Sequence, residues 1–520
     1  MRVLQIGRED WSASCRLPAG VEWSFVDVDD ESGFDPLLVG RVEVTVVDAV
    51  CAIDRLEAVD SLIAPHTFLV ARPLATAFDD AYQRFFARKA VAYEDMTDRQ
   101  RLVDALPRKF FVRQFGQKLE IRKALVVPFH TSGWWFEGNS YLVTELVTEL
   151  TTELADEKTG GDDGFRQLVT WKENIPYSAD HALELWPEFV LDPGCEIELG
   201  VQLVRSGTPD VIAFQKRYSQ AELSEPIVFS EPTSGYLSCS IFAKGSGLVK
   251  VGPIHYRHSR FGAGQFLPGG QRIVDSRREE LFFYFHPGNL KPPLNVYFSG
   301  YRPAEGFEGY FMMEGFGHPF LLVTDPRLEG GRFYLGSTEL EDKLLRMIRV
   351  HIDVLGFSER DVICSGLSMG SFGALYYGSQ IDALAIIAGK PIIDLGYVAE
   401  RGRLVRPNDF FTIFDIVNFW NRSAPEESTV DAFTRGLVDR WNGDPGFGDT
   451  KILMSYMEQD DYDDQAYYTL LGSQTGKPTT VIARGYQGRH NDDSASIVTW
   501  FVNQYRRVID EYQGARDDHQ

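Results

Sequence analysis

The sequence predicts an α/β protein built from three consecutive units: a small α/β unit, a β-rich unit and a larger α/β unit. Strand-like and helical segments alternate over residues 1–115 and again over residues 270–520, a pattern typical of mostly parallel sheets covered by helices. Residues 116–265 contain short strand-like runs separated by turns that carry glycine and proline, which indicates a β-sandwich. A Gly-x-Ser-x-Gly motif in the third unit lies between a strand-like and a helix-like segment.

Residues 1–115 are predicted to form a small, Rossmann-like α/β domain. Its predicted strands are residues 3–6, 23–28, 42–47 and 68–71, and its predicted helices are residues 77–87 and 98–106. The unit has no Gly-x-Gly-x-x-Gly motif, so the sequence gives no support for a dinucleotide site.

Residues 116–265 are predicted to form the β-sandwich and to contact sugars or partner proteins. The predicted strands are residues 118–127, 195–204, 211–217, 226–230, 236–243 and 249–254. The aromatic residues of this unit allow two interpretations, since they either stack on sugar rings or belong to the core. These residues are Trp134, Trp135, Phe136, Trp171 and Trp186.

Two other segments of this unit carry no predicted site. The segment 145–157, which is rich in threonine and glutamate, is predicted to be solvated. His255 and His258 have the spacing of neighbours on a helix, but no further ligands lie near them in the sequence. We therefore expect no metal site there.

Residues 270–520 are predicted to contain a mostly parallel sheet covered on both faces. Its first strands are predicted at residues 281–285, 295–299 and 319–324. Thr338 and Glu341 form a capping box that predicts the start of a helix, and Gly356 predicts its end. The apolar face of this helix is predicted to consist of Leu340, Leu344, Ile348, Ile352 and Leu355.

The motif Gly366–Leu367–Ser368–Met369–Gly370 has the context of a nucleophile elbow, a sharp turn that presents a reactive serine between a strand and a helix. The apolar-rich run 361–365 precedes it and the helix-like run 371–377 follows it. Glycines let the backbone bend tightly, so the Ser368 hydroxyl is presented at the head of the helix. The backbone N–H of Met369 then faces a developing oxyanion. This pattern is that of the α/β-hydrolase fold.

A nucleophilic serine needs a base and an acid, which follow it in this fold in the order serine, acid, histidine. Only His490 and the near-terminal His519 follow Ser368, and His490 lies in a polar loop after a strand-like run. The acid is expected after the strand-like run 451–457, where Glu458, Asp460 and Asp461 are all available. The pattern alone does not choose among these acids.

A second oxyanion donor is expected in the loop after an early strand of the sheet. Ser299–Gly300–Tyr301–Arg302 follows the run 295–298 and is well placed, with the backbone N–H of Tyr301 as the donor. An equally weighted alternative is that Gly300 only serves a structural turn.

Composition predicts a soluble enzyme that does not bind nucleic acid. The net charge of −23 opposes contact with phosphate backbones and anionic lipid. Five scattered cysteines without a Cys-x-x-Cys pair indicate a reduced compartment. The amino terminus lacks the apolar core of a signal peptide, and no apolar run approaches the roughly 20 residues of a membrane span. We therefore expect a cytoplasmic protein without a bound metal or cofactor.

The chain resembles the accessory secretory (Sec) system protein 2 family along nearly its whole length. The matching stretches are residues 4–7 with Trp11, 22–23, 266–270, 297–302 followed by 305–310, 366–370, 460–463 and 488–491. Their combination is far more specific than any single motif. The resemblance implies that the family's serine, acid and histidine fall on Ser368, Asp460 and His490.

The resemblance also implies a function that the residues alone do not reveal. Family members work with two other accessory secretory proteins and a dedicated Sec motor ATPase in exporting serine-rich repeat glycoprotein adhesins. The family also adds O-acetyl groups to N-acetylglucosamine on the adhesin. The implied location is the cytoplasm, including its membrane face through the export complex.

The sequence therefore predicts three alternative functions. The first is acetyl transfer by Ser368, His490 and Asp460, with Met369 and Tyr301 holding the oxyanion and an acetyl donor such as acetyl-CoA as co-substrate. The second is a plain carbohydrate or acyl esterase that uses the same triad with water. The third is a non-catalytic export scaffold that kept the fold.

Overall fold

The computed structural model describes residues 1–30, 40–127, 131–147, 164–328, 330–405, 412–421, 429–443 and 446–517. Most of the segment 145–157, predicted to be solvated, lies outside these residues. No helix in the described ranges is both long enough and apolar enough to cross a membrane.

The first sheet has five parallel strands in the order β2-β1-β3-β4-β5. The strands are β1 Arg2–Gly7, β2 Glu22–Asp27, β3 Val44–Val47, β4 Phe68–Ala71 and β5 Ala92–Glu94; the helices are α1 Ile53–Ala58, α2 Asp80–Lys89 and α3 Arg99–Lys109. Asp79 caps α2 by accepting from the backbone N–H of Ala81. Apolar clusters cover both faces of the sheet, as a doubly wound sheet requires.

Two antiparallel sheets follow and enclose one apolar core. The strands are β6 Gly116–Leu119, β7 Ala124–Val126, β8 Thr131–Glu137, β9 Tyr141–Leu146, β10 Arg166–Trp171, β11 Ile175–Tyr177, β12 Leu183–Leu191, β13 Cys195–Arg205, β14 Ile212–Ser219, β15 Ile227–Phe229, β16 Gly235–Gly245 and β17 Gly247–His258. One sheet has the order β14-β13-β16-β10-β7 and the other β15-β12-β17-β9-β8. Buried residues alternate with more exposed ones along β16, the period expected when one face of a strand is covered.

Two expectations for this unit are corrected by the structure. His255 and His258 lie on strand β17 and not on a helix, and a spacing of three residues places them on opposite faces of the sheet. Trp171 and Trp186 are buried, so a sugar-stacking role is wrong for these two residues. Trp135 and Phe136 are half exposed on the edge strand β8.

The third sheet has eight strands in the order β18-β19-β21-β20-β22-β23-β24-β25. All of these strands except β18 and β19 run parallel to one another. The strands are β18 Gln271–Val274, β19 Glu280–His286, β20 Leu294–Phe298, β21 Phe320–Thr324, β22 Val362–Leu367, β23 Ala385–Gly389, β24 Lys451–Met457 and β25 Thr480–Tyr486. The helices are α4 Tyr310–Glu314, α5 Thr338–Leu355, α6 Met369–Gly378, α7 Leu395–Val405, α8 Ile413–Asn421, α9 Thr429–Trp441, α10 Ala466–Ser473 and α11 Ser494–Asp517. Apolar clusters on both faces confirm the mixed α/β fold class.

Helix α5 shows how local sequence sets an element. Ser337 is its N-cap and accepts from the backbone N–H of Leu340, so the cap lies one residue before the predicted Thr338. The carboxylate of Glu341 accepts from the backbone N–H of Gly336, and Gly356 ends the helix at a φ of 69°. The predicted apolar face packs into the core of the third unit.

Candidate active site

Ser368 lies at a strained turn between β22 and α6. Its backbone has a φ of 54° and a ψ of −122°, a conformation that a residue with a side chain rarely adopts. The backbone N–H of Ser368 donates to the carbonyl oxygen of Gly389, at the end of the neighbouring strand β23, over 2.8 Å. The serine is thus fixed at the carboxyl edge of the sheet, where ligands bind in open α/β sheets.

Two glycines make this turn sterically possible. A Cβ atom at Gly366 would overlap the backbone of Gly370, and a Cβ atom at Gly370 would overlap the carbonyl oxygen of Phe298. The two positions therefore let the start of α6 pack directly against the end of β20. Close approach, and not a positive φ, is the reason for glycine here.

Ser368, His490 and Asp460 form a continuous line of hydrogen bonds. The hydroxyl of Ser368 lies 2.8 Å from Nε2 of His490, and Nδ1 of His490 lies 2.8 Å from Oδ2 of Asp460. Because an ionised carboxylate only accepts, Nδ1 carries the proton and Nε2 is left to accept from the serine. His490 and Asp460 are 4% and 2% exposed, so their interaction is shielded from water.

The structure separates the three acids that the pattern left open. Asp460 is the acid that contacts the imidazole of His490. Asp461 accepts instead from the backbone N–H of His490 at 3.0 Å, which anchors the histidine loop. Glu458 is exposed, and its carboxylate accepts from the side chain of Gln487.

The acid loop holds Asp460 by its own backbone. The backbone N–H groups of Tyr462 and Asp463 donate to Oδ1 of Asp460 at 2.8 and 3.3 Å. The ring of Tyr462 packs edge-on against His490 with centroids 4.8 Å apart. These contacts leave Oδ2 for the histidine and fix the plane of the imidazole.

Asp463 and Lys390 are two further residues that the sequence analysis assigned no role. Oδ2 of Asp463 accepts from the backbone N–H groups of Ile393 and Asp394 at 2.8 and 2.9 Å, and burial raises the pKa of this carboxyl to about 7. Nζ of Lys390 donates to the carbonyl oxygen of Asp492 at 3.1 Å and to the hydroxyl of Ser494 at 2.8 Å. Burial lowers the pKa of Lys390. The segment after β23 thus ties the acid loop to the histidine loop.

The two residues predicted to donate to the oxyanion lie on segments that adjoin the elbow. Met369 is the first residue of α6, where backbone N–H groups have no partner within the helix and the helix dipole favours negative charge. A Cβ atom at Gly300 would lie 3.1 Å from the carbonyl oxygen of Leu367, so the loop that carries Tyr301 touches the elbow. The carboxylate of Glu308 accepts from the N–H of Gly300 at 2.8 Å and thereby holds this loop.

Within the described residues no group of three or more histidine, cysteine, aspartate or glutamate side chains could hold a metal ion. The arrangement itself is suited to acyl transfer, since it provides a nucleophile, a base with a fixed tautomer, and N–H groups near the developing charge.

Comparisons with known proteins place this site in a family context. A family model described as accessory Sec system GspB-transporter matches residues 1–515. The chain is 36% identical over 534 residues to an accessory Sec system protein from Staphylococcus aureus (strain NCTC 8325 / PS 47), covering 99% of this chain and 97% of that relative. It is also 34% identical over 525 residues to an accessory Sec system protein from Streptococcus gordonii, covering 99% of this chain and 99% of that relative. These matches confirm the resemblance drawn from the sequence.

A solved structure extends the similarity to three dimensions. The chain is similar to a chain in the Glycosylation Associate Protein (Gap123) complex from Streptococcus agalactiae, with 33% sequence identity and a TM-score of 0.87. The similarity covers 98% of this chain and 98% of that chain, so all three units take part in it.

Proposed function

Because the chain belongs to the accessory Sec system protein 2 family, we propose that it supports export of serine-rich repeat glycoprotein adhesins and O-acetylates N-acetylglucosamine on them. The observation that carries the catalytic part is the hydrogen-bonded line from Ser368 through His490 to Asp460 at a strained elbow. A scaffold alone has no need for a serine held at a positive φ in contact with a buried imidazole.

In the first half of the proposed reaction, the Ser368 oxygen attacks the carbonyl carbon of an acetyl donor, and His490 Nε2 takes the hydroxyl proton. The Asp460 carboxylate stabilises the resulting imidazolium. The N–H groups of Met369 and Tyr301 bind the oxyanion. The leaving group of the donor departs with the proton from His490, which leaves an acetyl ester on Ser368. Acetyl-CoA is a candidate donor, with a thiol as leaving group.

In the second half, a hydroxyl of the acceptor sugar attacks the acetyl-serine. His490 takes the proton of that hydroxyl and passes it to the oxygen of Ser368 as the ester bond breaks. The sugar leaves as its acetyl ester and the enzyme is restored. Water in place of the sugar gives the esterase reaction, so selection of the acceptor distinguishes the two activities.

A cavity at the loop that carries Tyr301 supports placing the acceptor there. It has a volume of about 220 Å³, and Tyr301 lines it together with Lys118, Asn139 and Ser140 from the sandwich. The hydroxyl of Ser140 donates to Asp415 at 2.6 Å, which holds the hairpin that carries it. Polar groups around a half-exposed tyrosine ring are suited to a sugar ring.

We propose that the partners are other accessory secretory proteins and the accessory Sec motor ATPase. The similarity to a chain of the Gap123 complex supports assembly with accessory proteins, because it extends over all three units. A complex of this kind would bring the cytoplasmic protein to the inner face of the membrane.

An in vitro transfer assay tests the enzymatic proposal. The full chain is incubated with an acetyl donor and a glycopeptide bearing N-acetylglucosamine, and the product is analysed by mass spectrometry. We expect one or more added acetyl groups with the unaltered chain and none with Ser368→Ala. Ser224→Ala, which removes an exposed hydroxyl in the sandwich, is the matched control and should transfer acetyl normally. Equal transfer by Ser368→Ala and the control would exclude Ser368 as the nucleophile.

A further inference from the structure

We propose that a second cavity, formed at the end of the β-sandwich and containing none of the residues proposed for acetyl transfer, binds the phosphate group of a small phosphorylated molecule. The cavity has a volume of about 380 Å³. The hydrogen-bonding and basic side chains that line it include Arg113, Ser178, His181, Ser206, Ser234 and His258. This inference is independent of the acetyltransferase proposal.

A pair of histidines forms one wall of this cavity. The rings of His181 and His258 lie with centroids 4.5 Å apart, and Phe115 stacks on His258 at 4.4 Å. Nδ1 of each histidine is buried and makes no hydrogen bond within the described part of the chain. In the proposed complex, Nε2 of each ring donates to the ligand. In a neutral ring it is then best protonated, because a buried Nδ1–H without an acceptor would be costly.

The surroundings of the two rings are positively charged. Arg113 is exposed and has no carboxylate partner among the described residues. Arg260 is fully buried, and its guanidinium donates to backbone carbonyl oxygens, those of Phe111 and Phe266 among them, and to no carboxylate of the described chain. Burying a cation without a counter-ion is unfavourable unless something else compensates it.

Burial lowers the pKa of both histidines, and the positive charges add to this effect. Burial, together with His181, Arg113 and Arg260, lowers the pKa of His258 to about 4. Burial also lowers the pKa of His181, which Asp180 opposes. The cavity therefore presents neutral N–H donors beside an arginine within a protein whose net charge is −23.

This combination of donors fits a phosphate group better than a neutral ligand. Arginine forms paired hydrogen bonds with phosphate oxygens, and the imidazole rings and the hydroxyls of Ser206 and Ser234 supply further donors. The hydroxyl of Ser178 instead donates to Asp180 at 2.9 Å. The rings of Phe115 and Tyr236 also line the cavity and leave an apolar surface for the remainder of the ligand, such as a sugar ring. A bound phosphate dianion would favour the charged forms of both histidines, so binding is expected to take up protons near neutral pH.

Calorimetric titration of the full chain at pH 7 tests the proposal. The ligands are inorganic phosphate, glucose 6-phosphate and vesicles that contain phosphatidylglycerol. We expect saturable binding of glucose 6-phosphate, weaker binding of free phosphate, and none of the vesicles through this cavity. Arg113→Gln should lower the affinity for glucose 6-phosphate by roughly tenfold or more. Arg84→Gln removes an exposed arginine on α2 and is the matched control with unchanged affinity.

A second variant and a spectroscopic readout keep the test decisive. His258→Asn should also weaken binding and replaces Arg113→Gln as the test if that variant folds poorly. The melting temperature of each variant is measured. NMR signals of the His181 and His258 rings should shift on titration with glucose 6-phosphate. Absence of saturable binding by either phosphate, equal affinity in Arg113→Gln and Arg84→Gln, or binding to vesicles alone would overturn the proposal.

Discussion

The carboxylate of Asp460 decides which ring nitrogen of His490 is free to receive a proton. Asp460→Asn keeps the size of the side chain but removes its charge and the fixed acceptor for Nδ1–H. We expect turnover of a chromogenic acetate ester to fall on the order of 10⁴-fold, as for the equivalent change in serine proteases. The melting temperature should change little in comparison, and circular dichroism checks it.

The neighbouring acids provide matched controls for that variant. Glu458→Gln alters an exposed side chain, and Asp461→Asn keeps an oxygen that can accept from the backbone N–H of His490. Both variants should retain turnover within about tenfold of the unaltered chain, because the two ring nitrogens of His490 are engaged by Ser368 and Asp460. If Glu458→Gln were the crippling change, the assignment of Asp460 would be wrong.

Local sequence narrowed the acid to three candidates but could not choose among them. These acids lie within four residues of one another in one loop, and the choice depends on backbone directions that the pattern does not encode. The N–H groups of Tyr462 and Asp463 turn Asp460 toward the histidine. Lys390 was not predicted either, since its contacts with Asp492 and Ser494 arise only when two distant loops meet.

The start of α6 packs so closely on the end of β20 that one methyl group should disturb it. In Gly370→Ala the new Cβ atom would overlap the carbonyl oxygen of Phe298. We expect a loss of roughly 1–3 kcal/mol in the free energy of unfolding, the cost of overpacking a rigid contact, measured by urea denaturation. Ester turnover should also fall, because Met369 and Ser368 shift with the helix.

Gly472→Ala on α10 is the control for this substitution. A Cβ atom at that position meets no heavy atom within 4 Å, and alanine favours a helix over glycine. This variant should be as stable as the unaltered chain or slightly more stable. Equal stability of Gly370→Ala and Gly472→Ala would show that the close contact at the elbow is not required.

Element types were more predictable than element order. Alternating strands and helices predicted the third sheet, but the insertion of β21 between β19 and β20 joins residues that are distant in sequence. The spacing of His255 and His258 on β17 does not identify the element, because a spacing of three residues fits one face of a helix and also occurs on opposite faces of a strand. Pairing of β17 with β12 and β6 at these residues holds the histidines on a strand.

At the scale of the whole molecule, a buried ionic cluster joins the sandwich to the third unit. Nδ1 of His255 lies 2.5 Å from Glu305 and Nε2 lies 2.7 Å from Glu188, so both nitrogens face carboxylates. Arg257 also donates to Glu305, at 2.5 Å, and to Glu280. Glu305 lies in the segment that continues from the Tyr301 loop, so the cluster connects the sandwich to the proposed oxyanion hole.

This cluster predicts a pH dependence of stability. Burial by itself would lower the pKa of His255, but Glu305 and Glu188 outweigh it and raise the pKa to about 9. A pKa that is raised in the folded state contributes stability. This contribution is fully present below the unfolded pKa near 6.5 and is lost as the pH rises through about 9. As the pH rises between these two values, the free energy of unfolding should therefore fall by up to roughly 3 kcal/mol more in the unaltered chain than in His255→Gln. Urea denaturation across this range measures it, and parallel curves for the two proteins would contradict the charged form of His255.

Catalysis and export support are expected to be separable functions of one molecule. Ser368, Asp460 and His490 all lie in the third unit, whereas the family similarity extends over residues 1–515 and includes both preceding units. Those two units also offer surfaces outside the cavity that Tyr301 lines, and we propose that these surfaces contact export partners. A substitution confined to the serine hydroxyl leaves those surfaces intact.

In a strain that lacks this protein, Ser368→Ala should restore export of the adhesin but leave its N-acetylglucosamine without O-acetyl groups. Blotting of the secreted fraction reads export, and mass spectrometry of the glycans reads acetylation. The unaltered chain and Ser224→Ala serve as controls that should restore both. Failure of export at normal levels of folded Ser368→Ala would mean that export requires the acetyl transfer itself. Unchanged acetylation would remove the transferase proposal and leave the scaffold function, because the only proposed nucleophile would be absent.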